Sequence, residues 1–371
     1  MRYFFSTGEP SGETSALLLA DAIARIDLQA SFEGIGAQRM REAGFTMWRD
    51  HTGWASMGPL AALPRIPKLL ATMWRTAFHI AAAKPDLVVL VDFGVFNLRL
   101  AQTLRRLHYA GPVLDVFPPG TWLDNERKAR VVSSVAVPMT AFKHQYEFYR
   151  SLELPIAYFG HPLASQYRMR EPRAAPPPDG GIVALLPGSR SGELRRHLPA
   201  LAQAYRTLAQ RRPNLGGVFG ASDARARKQI DTTIEAFGLT QTRVVDGVAG
   251  ALAGADAAWV ASGTAVLECA LSGVPAVALY VISPVLVKHG RTMIKHGFIT
   301  LPNLVLGREI VPELLQEEAT PERLSAEMER VLENPAPQYC AFTELRAALG
   351  PPDALERCAA FAVELARGDA A

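Results

Sequence analysis

Cysteine is scarce in this chain: three residues in 371, namely Cys269, Cys340 and Cys358, odd in number, widely spaced and in apolar surroundings. That excludes a disulfide framework and a cysteine-built zinc site, and the three read as core thiols. A charge excess is missing too. Lys and Arg number 39 against 36 Asp and Glu, so no global basic field argues for nucleic acid. No apolar run reaches the roughly 20 residues that span a bilayer. The sequence opens on strand-like Arg2-Tyr3-Phe4-Phe5, without the charged-then-apolar pattern of a secretory leader. The expectation is a cytoplasmic protein. What is present, 49% hydrophobic and 20% charged residues, is the make-up of a folded chain long enough for two domains.

The most informative stretch is Ile182-Val183-Ala184-Leu185-Leu186-Pro187-Gly188-Ser189-Arg190-Ser191-Gly192-Glu193. An apolar strand is broken by Pro-Gly-Ser, and Leu194, Leu198, Leu201 and Tyr205 then recur at helical steps. A strand, a tight loop and a helix start direct free backbone N–H groups and about half a positive charge at one spot, which suits phosphate. Arg190 adds a fork for two phosphate oxygens. The same residues also make an ordinary turn with a solvated arginine, so the reading depends on what converges with them. Ala257-Ala258-Trp259-Val260-Ala261 repeats the arrangement, with Ser262-Gly263-Thr264 as the loop and Glu268 one turn into the helix. Glu268 can accept from a ribose diol or simply complement the helix dipole.

In the first half, Gly8-Glu9-Pro10-Ser11-Gly12-Glu13 follows the first strand, with Ser11 or Thr14 as possible caps of a helix from about Thr14 to Ile26. Its two acids favour a hydroxyl- or amine-bearing guest over phosphate. The apolar run from Leu87 to Val91 ends in Asp92, at the edge where open α/β sheets hold their ligands. Asp92 there is either a general base or a cap of the next helix. Between Trp54 and Phe78, Met57, Leu60, Leu63, Ile66, Met73 and Trp74 are interleaved with Arg65, Lys68, Arg75 and His79. Such a stretch packs on the domain or meets anionic lipid. A basic cluster at Lys288, His289, Arg291, Lys295 and His296 studs a further helix. The Pro- and Gly-rich residues 172–181 read as a linker. The domain expectation is 1–171, linker 172–181, 182–345, and a helical tail 346–371 that packs back on the first domain or on a second copy, leaving a homodimer open.

Together these motifs resemble the lipid-A-disaccharide synthase family of inverting glycosyltransferases. Gly8-Glu9-Pro10-Ser11-Gly12, Val91-Asp92-Phe93-Gly94-Val95-Phe96-Asn97, Gly160-His161-Pro162, Leu186-Pro187-Gly188-Ser189-Arg190, Ser262-Gly263-Thr264-Ala265-Val266-Leu267-Glu268 and Leu301-Pro302-Asn303-Leu304 occur in the family's order. The departures lie in the first domain: Glu13 or Thr14 where the family's loop ends in Asp, Gly94, Val95, and Pro118-Pro119-Gly120-Thr121-Trp122, which keeps one tryptophan of the family's segment. The resemblance implies α/β architecture, two Rossmann-like domains facing a cleft (GT-B type). It implies transfer of 2,3-diacylglucosamine from UDP to 2,3-diacylglucosamine 1-phosphate, giving a β-1,6 disaccharide and UDP. Asp92 would be the base. Gly188, Ser189, Arg190, Ser262, Gly263, Thr264, Glu268, Asn303 and Glu317 would hold the donor, and Gly8, Glu9, Ser11, Asn97 and His161 the acceptor side. No metal and no cofactor are implied, and the expected place is the cytoplasmic face of the inner membrane, attached peripherally. The alternatives are a UDP-sugar transferase with another lipid or polyol acceptor, a UDP-sugar 2-epimerase, or a non-catalytic nucleotide-sugar-binding protein.

Overall fold

The computed structural model describes residues 1–51, 54, 66–120, 124–282 and 297–369. The chain divides into two compact units, Met1–Ser165 with Leu349–Ala371, and Gln166–Ala348.

The first unit runs β1 (Arg2–Ser6), α1 (Pro10–Ile26), β2 (Ser31–Gly36), α2 (Gln38–Glu42), β3 (Thr46–Asp50), α3 (Ile66–Ala83), β4 (Leu87–Val91), α4 (Gly94–Arg106), β5 (Val113–Val116), α5 (Glu126–Val135), β6 (Val137–Thr140), α6 (Lys143–Ser151), β7 (Ala157–Tyr158) and α7 (Leu163–Gln166). Its strands are all parallel, in the order β3-β2-β1-β4-β5-β6-β7. β4 is buried along its whole length, as its unbroken apolar run requires when helices cover both faces of a sheet.

The second unit runs β8 (Gly180–Leu186), α8 (Ser191–Arg211), β9 (Asn214–Ala221), α9 (Ala224–Phe237), β10 (Thr242–Asp246), α10 (Gly247–Leu252), β11 (Ala257–Ala261), α11 (Thr264–Ser272), β12 (Ala276–Tyr280), α12 (Leu301–Leu306), β13 (Glu313–Leu315), α13 (Pro321–Glu333) and α14 (Ala336–Ala348). This sheet is also parallel, ordered β10-β9-β8-β11-β12-β13. Trp259 is its largest fully buried side chain, and its indole N–H donates to Leu324 O at 3.0 Å.

Several elements differ from the sequence expectation. α1 starts at Pro10, since Pro at the first helical position already has helical φ. The change of unit falls at Ser165/Gln166, and the Pro-rich residues beyond it are tied to the second unit. Arg170 bonds Ser272 O and Gly273 O, and Arg173 bonds Gly254 O and Asp256. Gly180 and Gly181 belong to β8. Of the three cysteines, Cys269 and Cys358 are buried but Cys340, on α14, is exposed.

After α14 the chain returns to the first unit as α15 (Ala354–Arg367), which lies on α1. Leu355, Cys358, Ala359 and Val363 enter the same apolar cluster as Ala16, Leu19, Ala20 and Ile23. Leu355, 1% exposed, is therefore part of that unit's core although it is distant in sequence. Leu355→Ala is expected to destabilise the first unit by about 3 kcal/mol, read as a lower urea midpoint.

Candidate functional site

In the first sheet the chain runs outward in one direction through β1, β2 and β3 and in the other from β4 to β7. The loops after β1 and β4 thus leave neighbouring strands at the switch point, where open α/β sheets receive ligands. Asp92 and Phe93 form the turn after β4, with φ of 54° and 50°. Two successive non-glycine residues in left-handed backbone are costly, and the surroundings hold them. The Asp92 amide donates to Val116 O at 3.1 Å. The Asn97 amide nitrogen donates to Asp92 O at 2.7 Å and Ser6 O at 3.2 Å, and its oxygen accepts from Ser6 Oγ at 2.7 Å. Phe93 packs on Phe96 and Trp54 at centroid distances of 5.5 and 6.1 Å. Gly8 is where β1's loop approaches most closely: a Cβ there would lie 2.3 Å from the Phe93 ring.

Asp92 is half-buried, whereas Asn97 is 1% exposed and bonded only inward. Asn97 therefore holds the turn and does not present an amide to a ligand. Phe93 is the N-cap of α4, so Asp92 lies one residue outside the cap position. Glu9 is the N-cap of α1, without a side-chain cap bond. Ser11 lies in the first turn, and Thr14 accepts from Arg39 at 2.8 Å. Neither is the N-cap, because the helix begins before them.

Glu13 had no structural part in the sequence reading, yet its carboxylate accepts from Ala37 N at 2.9 Å and Met40 N at 3.2 Å, at the start of α2. His161 is buried (4% exposed) between Phe117 and Phe142, and Nδ1 accepts from Leu163 N at 3.2 Å. Burial pushes its pKa down to about 4, so it is a neutral ring at pH 7.

The second unit repeats the geometry. β8 and β11 are neighbours at its switch point, and α8 and α11 start directly beyond them. Gly188 (φ 101°) turns the first loop. Arg190 is the N-cap of α8; its guanidinium meets Glu193 at 3.0 Å, and its amide donates to the same carboxylate at 3.3 Å. His197 is fully buried behind this loop. Its Nδ1 faces Pro187 O at 2.8 Å and its Nε2 accepts from Val281 N at 3.0 Å. Those partners fix the proton on Nδ1, and desolvation lowers its pKa. After β11, the Ser262 amide donates to Leu279 O at 3.0 Å, and Gly263 and Thr264 are exposed at the start of α11. The Glu268 carboxylate accepts from the Tyr167 hydroxyl, and Arg346 holds Tyr167 O at 2.6 Å.

Asn303 does not fit the donor-contact expectation. It is 0% exposed, donates to Val311 O and Glu313 at 2.8 Å each, and accepts from Ile310 N at 2.8 Å and Val311 N at 3.0 Å. Its capacity is fully used inside the protein. Glu313 is the hub there, accepting also from Thr300 N at 2.9 Å and Thr300 Oγ1 at 2.7 Å. Glu317 is exposed just beyond β13.

Among the described residues no group of three His, Cys, Asp or Glu side chains is arranged to hold a metal ion. Met57, Leu60, Leu63 and Arg65 of the apolar-basic stretch, Trp122, and the basic cluster at Lys288, His289, Arg291, Lys295 and His296 lie outside the described residues.

The family model for lipid-A-disaccharide synthetase matches residues 3–347. The lipid-A-disaccharide synthase of Myxococcus xanthus is 36% identical over 98% of this chain and 97% of its own length. That of Geobacter sulfurreducens is 31% identical, with the same coverage. Among solved structures, the calicheamicin glycosyltransferase CalG4 aligns over 100% of this chain and 99% of its own, with a TM-score of 0.60 at 15% identity. A putative UDP-N-acetylglucosamine 2-epimerase from Listeria monocytogenes aligns over 100% and 97%, also at 0.60, with 13% identity. These two likenesses establish the two-domain parallel α/β fold alone.

Two outcomes follow from this geometry. Gly8→Ala is expected to displace Phe93 and lower turnover about tenfold while the far-ultraviolet spectrum stays unchanged. For His161, the folded pKa lies below the ordinary 6.5, so the unfolded chain takes up its proton first. Stability is full above pH 6.5 and falls as pH drops toward 4, by up to about 3 kcal/mol. Thermal midpoints across that window should fall further for the wild type than for His161→Asn.

Proposed function

The chain belongs to the lipid-A-disaccharide synthase family, and we propose that Asp92 is the base of a transfer joining UDP-2,3-diacylglucosamine to 2,3-diacylglucosamine 1-phosphate. The chain is a glycosyltransferase. In the reaction the acceptor 6-hydroxyl oxygen forms a bond to the anomeric carbon as the bond from that carbon to the UDP oxygen breaks. The hydroxyl proton passes to the Asp92 carboxylate, and the bonding electrons leave with UDP. One base and a stabilised leaving group suffice for inversion.

The observation that carries this reading is the pair of helix starts at one switch point of the second unit. α8 and α11 rise from adjacent strands, β8 and β11, and strands pair about 4.8 Å apart. Their N-terminal amides, with Ser189, Arg190, Ser262 and Thr264, supply a preorganised positive field for a diphosphate. Glu268 is the proposed ribose ligand, held by Tyr167. Glu317 remains a candidate donor contact beyond β13. Gly8, Glu9 and Ser11 form the proposed acceptor-side loop. His161 and Asn303 are proposed as supports of their loops.

For the lipid, α3 offers a surface. Ile66, Trp74 and Phe78 are exposed on it at 40, 39 and 57%, and the exposed Lys68 and Arg75 lie on the same helix. That composition suits attachment to an anionic membrane face. No helix among the described residues is long and apolar enough to cross a membrane.

The test is turnover of the two acylated sugars in detergent, with products identified by mass spectrometry. Stoichiometric UDP and disaccharide are expected; UDP with free sugar, or an epimerised donor, would overturn the reading. Tyr167→Phe, which removes the hydroxyl held by Glu268, is expected to raise the donor KM about tenfold with kcat within about twofold.

A further inference from the structure

Asp115 is an acid buried in the sheet itself. It lies on β5, is 3% exposed, and stands opposite Leu90 on β4 and Pro138 on β6. Asp92 comes two residues after Leu90, and its amide is bonded to the residue after Asp115. Among the described residues no cation and no hydrogen bond stabilises the Asp115 carboxylate, and the charge acting on it is that of Asp92. From α6 comes the Tyr149 hydroxyl, buried without a partner among the described residues; burial first, and the Asp115 charge second, push its pKa up. Among the described residues, Asp92 and Tyr149 are the titratable groups whose ionisation couples to it. Burial first, and the Asp92 charge second, push the Asp115 pKa up to about 8.

We propose that Asp115 is a positioning residue for the transfer, one that stays protonated beside Asp92 so that the pair carries a single negative charge, placed at the sheet edge. The inference rests on Asp92 being the base. Two carboxylates whose charges couple do not both ionise readily, and the more buried one keeps the proton. Asp92, half-buried, is then the carboxylate that receives the acceptor's proton, and Asp115 exchanges none. When the pH rises past 8, the second charge repels both the Asp92 carboxylate and an anionic substrate, so turnover falls.

The test follows aspartate 13Cγ shifts with pH in the wild type and in Asp92→Asn, together with the pH profile of UDP release by the wild type and Asp115→Asn. One carboxyl should titrate near pH 8, vanish in Asp115→Asn, and move to lower pH in Asp92→Asn. Wild-type turnover should drop about tenfold per pH unit on its alkaline side, and Asp115→Asn should lose that limb. An Asp115 carboxyl that titrates below pH 5, or an Asp115→Asn variant that keeps the limb, overturns the proposal. Turnover of Asp92→Asn separates the two readings. If it is inactive while Asp115 titrates as an ordinary carboxyl, only the present inference fails. If it turns over normally, the base assignment fails and the inference falls with it.

Discussion

The constraint on which the first unit's site depends is a left-handed turn built without glycine. Asp92 and Phe93 each cost roughly 1–3 kcal/mol in that conformation, and the turn persists because its neighbours leave no alternative. Asn97 fastens its carbonyl, Val116 its amide, and the Phe93 ring fills the space that Gly8 leaves open. The turn takes the chain from the end of a buried strand into α4 within two residues, and leaves a half-buried carboxylate at the switch point of the sheet.

The second unit solves a related problem with carboxylates. Glu193 fastens the loop after β8, Glu313 gathers Thr300 and Asn303, and Glu13 does the same for α2 in the first unit. Each accepts backbone N–H groups that would otherwise be orphaned near a helix start. Among the described residues, the proposed donor site offers a ligand the exposed start of α11 and the loop from Gly188 to Arg190. The Arg190 guanidinium is already aligned by Glu193. A donor diphosphate would therefore meet groups whose orientation is set before it arrives, the condition under which such groups stabilise a leaving group most.

Much of the architecture was legible because buried parallel strands are written as apolar runs. β1, β4, β5, β8, β11 and β12 could be read that way, as could the two strand–loop–helix starts. β3, β6 and β13 could not: Thr46–Asp50 is half polar, Val137–Thr140 carries a proline and a threonine in four residues, and β13 has only three residues. In the site, residue type was legible and direction was not. Asn303 stands in a motif where a ligand contact was expected, but faces its own backbone and Glu313. His161 stands in a motif expected on the acceptor side, while burial between two aromatic rings keeps its ring neutral at pH 7. Tyr167 and His197 carried no motif, since their roles arise from contacts across the fold. Asp115 was hidden for the opposite reason: an acid inside an apolar strand reads as an interruption until its neighbour is known.

The most direct measurement is turnover and UDP affinity of Asp92→Asn, which keeps the side chain's shape and removes the base. The account expects UDP to bind within about twofold of the wild type, with transfer reduced at least about a thousandfold. Transfer at near wild-type rate, or loss of UDP binding together with transfer, would contradict it.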